Sequence, residues 1–270
     1  MQNPKLKKWI TEPLTDKPFL SVIIPCYNEE SRLLPTIGAV ASTMCELDIS
    51  WELIIVDDGS TDKTAELVKG VPFKNLNFVS LAENQGKGAA VCAGVRASRA
   101  SWALFTDADN STPIEEVAQF LPNMFDGQTD IICGSRALPE STVEGRSGLR
   151  QLATKTLSAL VQLGLRLPVK DSQCGFKAMK TEVALSLLKY QHIKGFSFDM
   201  ELLYLAQSLG YKIAERPVHW VDAPGSKVEP LREALRFLGA IHLIRRQHAH
   251  LNQTPRVNLG SNTLVGGLSA

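Results

Sequence analysis

The chain has 270 residues, enough to bury a substantial core as one domain or as one domain with appended helices. Its 29 basic and 28 acidic residues leave a formal net charge of +1, which gives no global pull toward nucleic acid. Five cysteines (Cys26, Cys45, Cys92, Cys133, Cys174), odd in number and never spaced C-x-x-C, argue for reduced cytosolic thiols over a disulfide framework or a zinc site.

No segment reaches the roughly 18–20 apolar residues of a membrane span, and no apolar stretch after Lys5, Lys7, Lys8 and Trp9 is long enough for a signal peptide. Residues 1–18, polar and punctuated by proline, read as a poorly ordered lead-in. A first strand, Phe19 to Ile24, is stopped by Pro25; a helix follows from about Glu30 to Glu46, then a strand from Trp51 to Val56. A helix from Lys63 to Gly70, a strand from Asn77 to Leu81 and a helix of small residues from Ala89 to Ser98 continue the alternation. Trp102 to Phe105 is a buried strand ending at Asp107, Ser111-Thr112-Pro113 starts another helix, and Asp130 to Cys133 is a further strand. This spacing predicts a layered α/β fold on a mostly parallel sheet. After Gly134 the pattern turns helical, with one apolar face recurring from Leu149 to Val161 and a second amphipathic helix from Pro230 to Arg246. The chain thus divides into a lead-in (1–18), an α/β domain (19–228), a C-terminal amphipathic helix (229–250) and a mobile tail (251–270).

Acidic residues gather at the carboxyl ends of the buried strands, where open α/β sheets place their ligands. Pro25, Tyr27 and Glu29 after the first strand can cradle a nucleobase, or simply stop a strand before an acid-rich helix start. Asp57-Asp58 can accept from a base or a ribose hydroxyl, or cap the next helix. Gly86-Lys87-Gly88 exposes backbone N–H groups to a phosphate, or permits tight packing; it lacks Walker spacing. Asp107-Ala108-Asp109 suits Mg²⁺ or Mn²⁺ bridging the phosphates of a nucleotide.

In order along the chain, Ser-Val-Ile-Ile-Pro-Cys-Tyr-Asn-Glu-Glu from Ser21, Val-Asp-Asp-Gly-Ser-Thr-Asp from Val56, Asn84-Gln85-Gly86-Lys87-Gly88 and Asp107-Ala108-Asp109 resemble the inverting family 2 glycosyltransferases. Gly134-Ser135-Arg136, Asp171-Ser-Gln-Cys-Gly-Phe-Lys177 and Phe198-Asp-Met-Glu-Leu-Leu203 extend the resemblance to about Lys227. It is strongest toward the polyprenyl- and dolichyl-phosphate sugar synthases, and the Asp171 string is similar to the glucosyltransferase branch. The resemblance implies a GT-A fold, a nucleotide-sugar donor (UDP-glucose) and a divalent metal. Carried over, Pro25, Tyr27, Glu29, Val56 and Asp58 hold the nucleoside, with Lys87 also on the donor side. Asp107 and Ala108 line ribose and diphosphate, Asp109 binds the metal, and Ser111 stands where the mannose synthases have a metal-reaching glutamine. Arg136, Arg150 and Thr154 fall where that family contacts the acceptor phosphate, and Lys227 where a loop closes on the donor.

The expected activity is therefore inverting transfer of glucose to a polyprenyl phosphate, by a protein peripheral on the cytosolic membrane face, with room for a separate membrane partner or a homo-oligomer. A phosphate acceptor is already anionic and needs positioning, not deprotonation; a hydroxyl acceptor would need a base, and Asp199 is the candidate. Otherwise Asp199 is a structural acid at a helix start. The alternatives are a GDP-mannose donor or a soluble hydroxyl acceptor. A phosphate-accepting receiver module leaves the latter half unexplained, and a nucleotidyltransferase would carry a glycine-rich basic loop after its first strand. The C-terminal helix either lies at a membrane interface or packs on the domain.

Overall fold

A computed structural model of the chain describes residues 3–145, 148–222 and 230–253. In order come α1 (Pro4–Thr11), β1 (Leu20–Cys26), α2 (Leu33–Met44), β2 (Trp51–Asp57), α3 (Thr64–Lys69), β3 (Leu76–Ser80), α4 (Lys87–Ala97) and β4 (Trp102–Phe105). A 3₁₀ turn (Ile114–Gln119), α5 (Leu121–Phe125), β5 (Ile131–Ser135), β6 (Thr142–Glu144) and α6 (Gly148–Leu165) follow. The remainder is β7 (Lys177–Lys180), α7 (Thr181–Leu187), α8 (Phe198–Ser208), β8 (Ile213–Pro217), β9 (His219–Val221), α9 (Pro230–Gln247) and a second 3₁₀ turn (Ala249–Gln253).

Seven strands form one sheet in the order β3-β2-β1-β4-β7-β5-β8, and β6 pairs with β9 separately. From β1 the chain steps outward to β2 and β3, then returns to place β4 on the other side of β1, all four parallel. The carboxyl ends of β1 and β4 therefore flank a topological switch point, the position where such sheets bind ligands. β1 and β2 are buried at every residue. Their side chains alternate between two cores: Ile23, Ile54 and Val56 face α4 and α8, while Val22, Ile24, Leu53 and Ile55 face α2 and the first 3₁₀ turn.

Three expectations change. The lead-in is not loose: α1 docks by stacking Trp9 on Trp51 at 4.1 Å, and the Trp9 indole N–H donates to the Trp51 carbonyl at 3.0 Å. Pro25 does not end β1, which runs on to Cys26 beside β2; it lies past the last β1–β4 pair, Ile23 with Phe105, where a missing N–H is tolerated. The sheet is mostly parallel, as expected; β7 is the exception, antiparallel to both β4 and β5. Ser111-Thr112-Pro113 leads into a 3₁₀ turn before the short α5.

α9 packs on α6 and α8 through buried Phe237, Ala240 and Ile244. Leu238, Leu243, Arg245 and Arg246 stay exposed on it. Among the described residues no helix is long and apolar enough to cross a membrane. All five cysteines are unpaired thiols. Lys227 and the tail from 254 lie outside the described residues, as do the side chains of Arg150 and Thr154.

Candidate active site

β2 ends in two acids with different tasks. Asp57 Oδ1 accepts from the Ser60 N–H at 3.1 Å and shapes the turn. Asp58 points across to the start of α4, where Oδ1 and Oδ2 accept from the N–H groups of Gln85 and Gly86, each at 2.8 Å. It is 3% exposed, so its first role is to hold the glycine-rich turn in place beside the cleft, a reading neither of its sequence roles contains. Gly86 adopts φ +102°, and a Cβ there would lie 2.6 Å from the Lys194 carbonyl oxygen. The Ala89 N–H donates to that same carbonyl at 3.1 Å. Close packing accounts for these glycines.

The turn delivers Lys87, whose ammonium lies 2.5 Å from Asp107 Oδ1. Burial pulls the Lys87 pKa down, but Asp107 and then Asp199 outweigh it and hold it above the ordinary value. Asp107 reaches this position because β7 begins opposite the end of β4, with Lys177 paired to Phe105, and the incoming strand presents Gly175 to the carboxylate. A side chain at 175 would occupy the space of the Asp107 carboxyl group. Gly175→Ala is therefore expected to displace Asp107 and, if the cleft takes a nucleotide through a divalent cation as the sequence implies, to weaken UDP binding at least about tenfold. Calorimetric titration of UDP with Mg²⁺ checks this.

Asn110, in the left-handed region at φ +52°, folds the chain back after the acids. The turn lets Asp109 Oδ1 accept from the Ser111 N–H at 3.0 Å. The contact Ser111 shows is thus a backbone one. Asp109 Oδ2 stays outward, 3.8 Å from the Arg32 guanidinium. Thr36 fixes the middle of the turn by donating its hydroxyl to the Ala108 carbonyl at 2.7 Å.

On the β1 side, Pro25 and Val56 pair in register as buried floor. Tyr27 is 44% exposed, an available ring at the cleft mouth. Asn28, at φ +55°, latches this loop to the turn after β2 by accepting from the Thr61 N–H at 2.8 Å. Glu29 is engaged by Arg32 in a two-point bond, 2.7 and 2.6 Å, so it positions a cation more directly than it meets a nucleoside.

Arg136 has a buried partner that the sequence does not show. Past the end of β5 its Nε and Nη2 donate to Asp171 Oδ2 and Oδ1 at 2.7 and 2.9 Å, and its backbone N–H adds a third bond. Both side chains are largely buried, and a buried carboxylate needs such a partner. Burial alone would raise the Asp171 pKa; the Arg136 guanidinium overrides it and holds the carboxyl below the usual range. A depressed folded-state pKa makes this contribution to stability complete above about pH 4 and lost as pH falls below it. Asp171→Asn is accordingly expected to flatten the acid limb of the Tm-against-pH curve, measured by circular dichroism.

Asp199 lies in the first turn of α8, 3% exposed, with Lys177 Nζ 3.3 Å from Oδ1. Lys177 directs a hydrogen bond to the Cys174 carbonyl instead. Burial raises the Asp199 pKa, against the pull of Lys177 and Lys87. Arg32, Asp171, Gly175 and Lys177 had no role in the sequence reading; Asp171 to Lys177 stood there only as a string whose purpose a strand reversal reveals.

Among the described residues no cluster of three or more His, Cys, Asp or Glu side chains forms a protein-only metal site. Mg²⁺ ordinarily takes one or two carboxylates and completes its shell with substrate phosphate and water. Asp107 and Asp109, 36% and 26% exposed at the side chain, fit that donor set.

The sheet order and the switch-point cleft agree with the GT-A fold that the motifs imply, and solved structures match it. Glucosyl-3-phosphoglycerate synthase from Mycobacterium tuberculosis, solved with Mn²⁺ and UDP-glucose, matches with TM-score 0.62 at 20% identity, covering 84% of this chain and 79% of that one. Its complex with Mg²⁺ and UDP gives 0.60 at 21% identity over 88% and 80%. Residues 21–187 match the family model for glycosyl transferase family 2. A dolichyl-phosphate beta-glucosyltransferase of Dictyostelium discoideum is 36% identical over 244 residues, 85% of this chain and 75% of that protein. The Homo sapiens protein of the same name is 32% identical over 281 residues, 95% and 86% of the two chains. The chain belongs to the family 2 glycosyltransferases.

Proposed function

We propose that this glycosyltransferase moves glucose from UDP-glucose to a dolichyl or polyprenyl phosphate with inversion, giving a β-linked lipid phosphosugar. The observation that carries the reading is similarity over 85% and 95% of the chain to two dolichyl-phosphate beta-glucosyltransferases, with the acids of the cleft standing within the matched region. Tyr27 stacks on the base over the Pro25–Val56 floor, while Asp58 holds the α4 turn that presents Lys87. Asp107 and Asp109 would hold Mg²⁺ or Mn²⁺, which neutralises charge developing on the leaving diphosphate. Arg32, fixed by Glu29, adds positive charge beside Asp109. Lys227 would close over the donor.

An acceptor phosphate oxygen attacks the anomeric carbon as the bond to UDP breaks, and no proton has to leave the nucleophile. Capture of that phosphate falls to Arg150 and Thr154. Arg136, with its charge met by Asp171, holds the segment that leads to Gly175 and Lys177. The acceptor's lipid end would lie against exposed Leu160, Leu163, Leu238 and Leu243 of α6 and α9, with Arg245 and Arg246 toward anionic headgroups. In this reading the protein works at a membrane surface, on the cytosolic face.

Two arms test the acceptor. Dolichyl phosphate should be glucosylated, and the matching alcohol should not. Asp199→Asn should keep transfer within about tenfold of wild type, whereas loss of a general base costs roughly 10²–10⁴. Glucosylation of the alcohol, or a thousandfold loss in Asp199→Asn, would move the reading to a hydroxyl acceptor with Asp199 as base.

A further inference from the structure

α8 carries a second buried acid that the donor and acceptor chemistry leaves unused. Glu201 is fully buried, and its two oxygens face in different directions. Oε2 accepts from the N–H groups of His192 and Ile193 at 3.0 and 2.7 Å. Oε1 lies 2.8 Å from Nε2 of His248, which follows α9 and is itself 1% exposed. One carboxylate thus ties α9 to the 191–194 segment.

That segment is the wall on which the donor turn leans. Its Lys194 carbonyl accepts from the Ala89 N–H in the first turn of α4. Cβ atoms at Gly86 or Gly88 would stand 2.6 and 2.9 Å from the Lys194 oxygen, so the segment and the turn touch without room for side chains. Gln191 braces the segment internally through a bond to the Ile193 carbonyl at 3.0 Å, and the Cys92 thiol of α4 donates to Gln191 at 3.2 Å. Across the turn stands Asp58 with its two bonds to Gln85 and Gly86. Lys87 lies between these supports and reaches Asp107. A buried carboxylate with three hydrogen-bonding partners is costly to disturb, which suits a part that must keep its geometry.

We infer that Glu201 is a positioning residue of the donor site: through the backbone of 192–194 it sets the start of α4, and so the place of Lys87 against Asp107, while His248 makes the seating of α9 part of the same support. The inference rests on the donor reading above. It assigns Glu201 no contact with substrate.

The test is UDP binding by calorimetry in Mg²⁺, with steady-state KM for UDP-glucose and for polyprenyl phosphate, on the full chain. Glu201→Asp keeps the charge but is one methylene too short to serve both neighbours. It should raise the UDP Kd and the donor KM about tenfold while the acceptor KM holds. Glu201→Gln can accept from both N–H groups through its carbonyl and donate to His248 through its amide, and it should restore both values to within about threefold of wild type. Ala89→Pro removes the N–H that bonds to the Lys194 carbonyl, cutting the support from the other side, and should weaken UDP as Glu201→Asp does; it decides the matter if Glu201→Asp fails to fold. Wild-type UDP affinity in folded Glu201→Asp or in Ala89→Pro overturns the inference. So does an equal loss in donor and acceptor KM, which marks a merely structural residue. A wild-type chain that binds no UDP removes the donor reading itself.

Discussion

Asp109→Asn is expected to lower transfer by about a hundred- to a thousandfold, the scale on which electrostatic stabilisation of a leaving group is felt, while leaving the fold intact. The argument is local. Asp109 is partly exposed, and its one shown structural bond, from the Ser111 N–H, can be kept by an asparagine carbonyl. What the substitution removes is the charge facing the cleft. The loss should appear in turnover and in the Mg²⁺ dependence of UDP affinity, with no change in Tm beyond a degree or two. Comparable turnover in Asp109→Asn would take the metal away from this residue.

Arg136→Met should have the largest effect on stability, about 3–5 kcal/mol, because it leaves Asp171 buried without its directly bonded cation. Urea denaturation measures it. The double variant Arg136→Met with Asp171→Leu should recover most of that loss, since a matched apolar pair carries no desolvated charge. If Arg136→Met is as stable as wild type yet poor in acceptor affinity, Arg136 is an acceptor residue after all, as the family resemblance implied. The structure favours the structural role because the two-point bond already occupies one edge of the guanidinium.

The parts of this protein legible in its sequence were those set by local pattern. β1, β2 and β4 carry short apolar runs (Val22 to Ile24, Leu53 to Val56, Trp102 to Phe105) with acids beyond them, so the strands and the cleft at their ends follow from burial on both faces. What stayed hidden depends on distant partners. α1 looks like a lysine-rich lead-in until Trp9 meets Trp51, 42 residues away. β7 is four residues bounded by lysines, with no alternation to mark it; only its place between β4 and β5 makes it a strand. Gly175 and Asp171 gain their meaning from that reversal. The buried partner of Arg136 was hidden for the same reason, since a guanidinium near a cleft reads as a ligand while Asp171, 35 residues on, is not yet placed beside it. Glu201 sits inside a string noticed as a motif, but its three partners come from two segments that no periodicity joins to it.

The central claim is metal-dependent glucose transfer from UDP-glucose to a lipid phosphate. It is tested most directly by incubating the full chain with detergent-dispersed polyprenyl phosphate and labelled UDP-glucose or GDP-mannose, in Mg²⁺ or in EDTA, and counting label in the organic phase. The account predicts label from UDP-glucose in Mg²⁺ alone, lost in EDTA. Label from GDP-mannose instead, label that persists in EDTA, or no lipid product beside tight Mg²⁺-dependent UDP binding would contradict it.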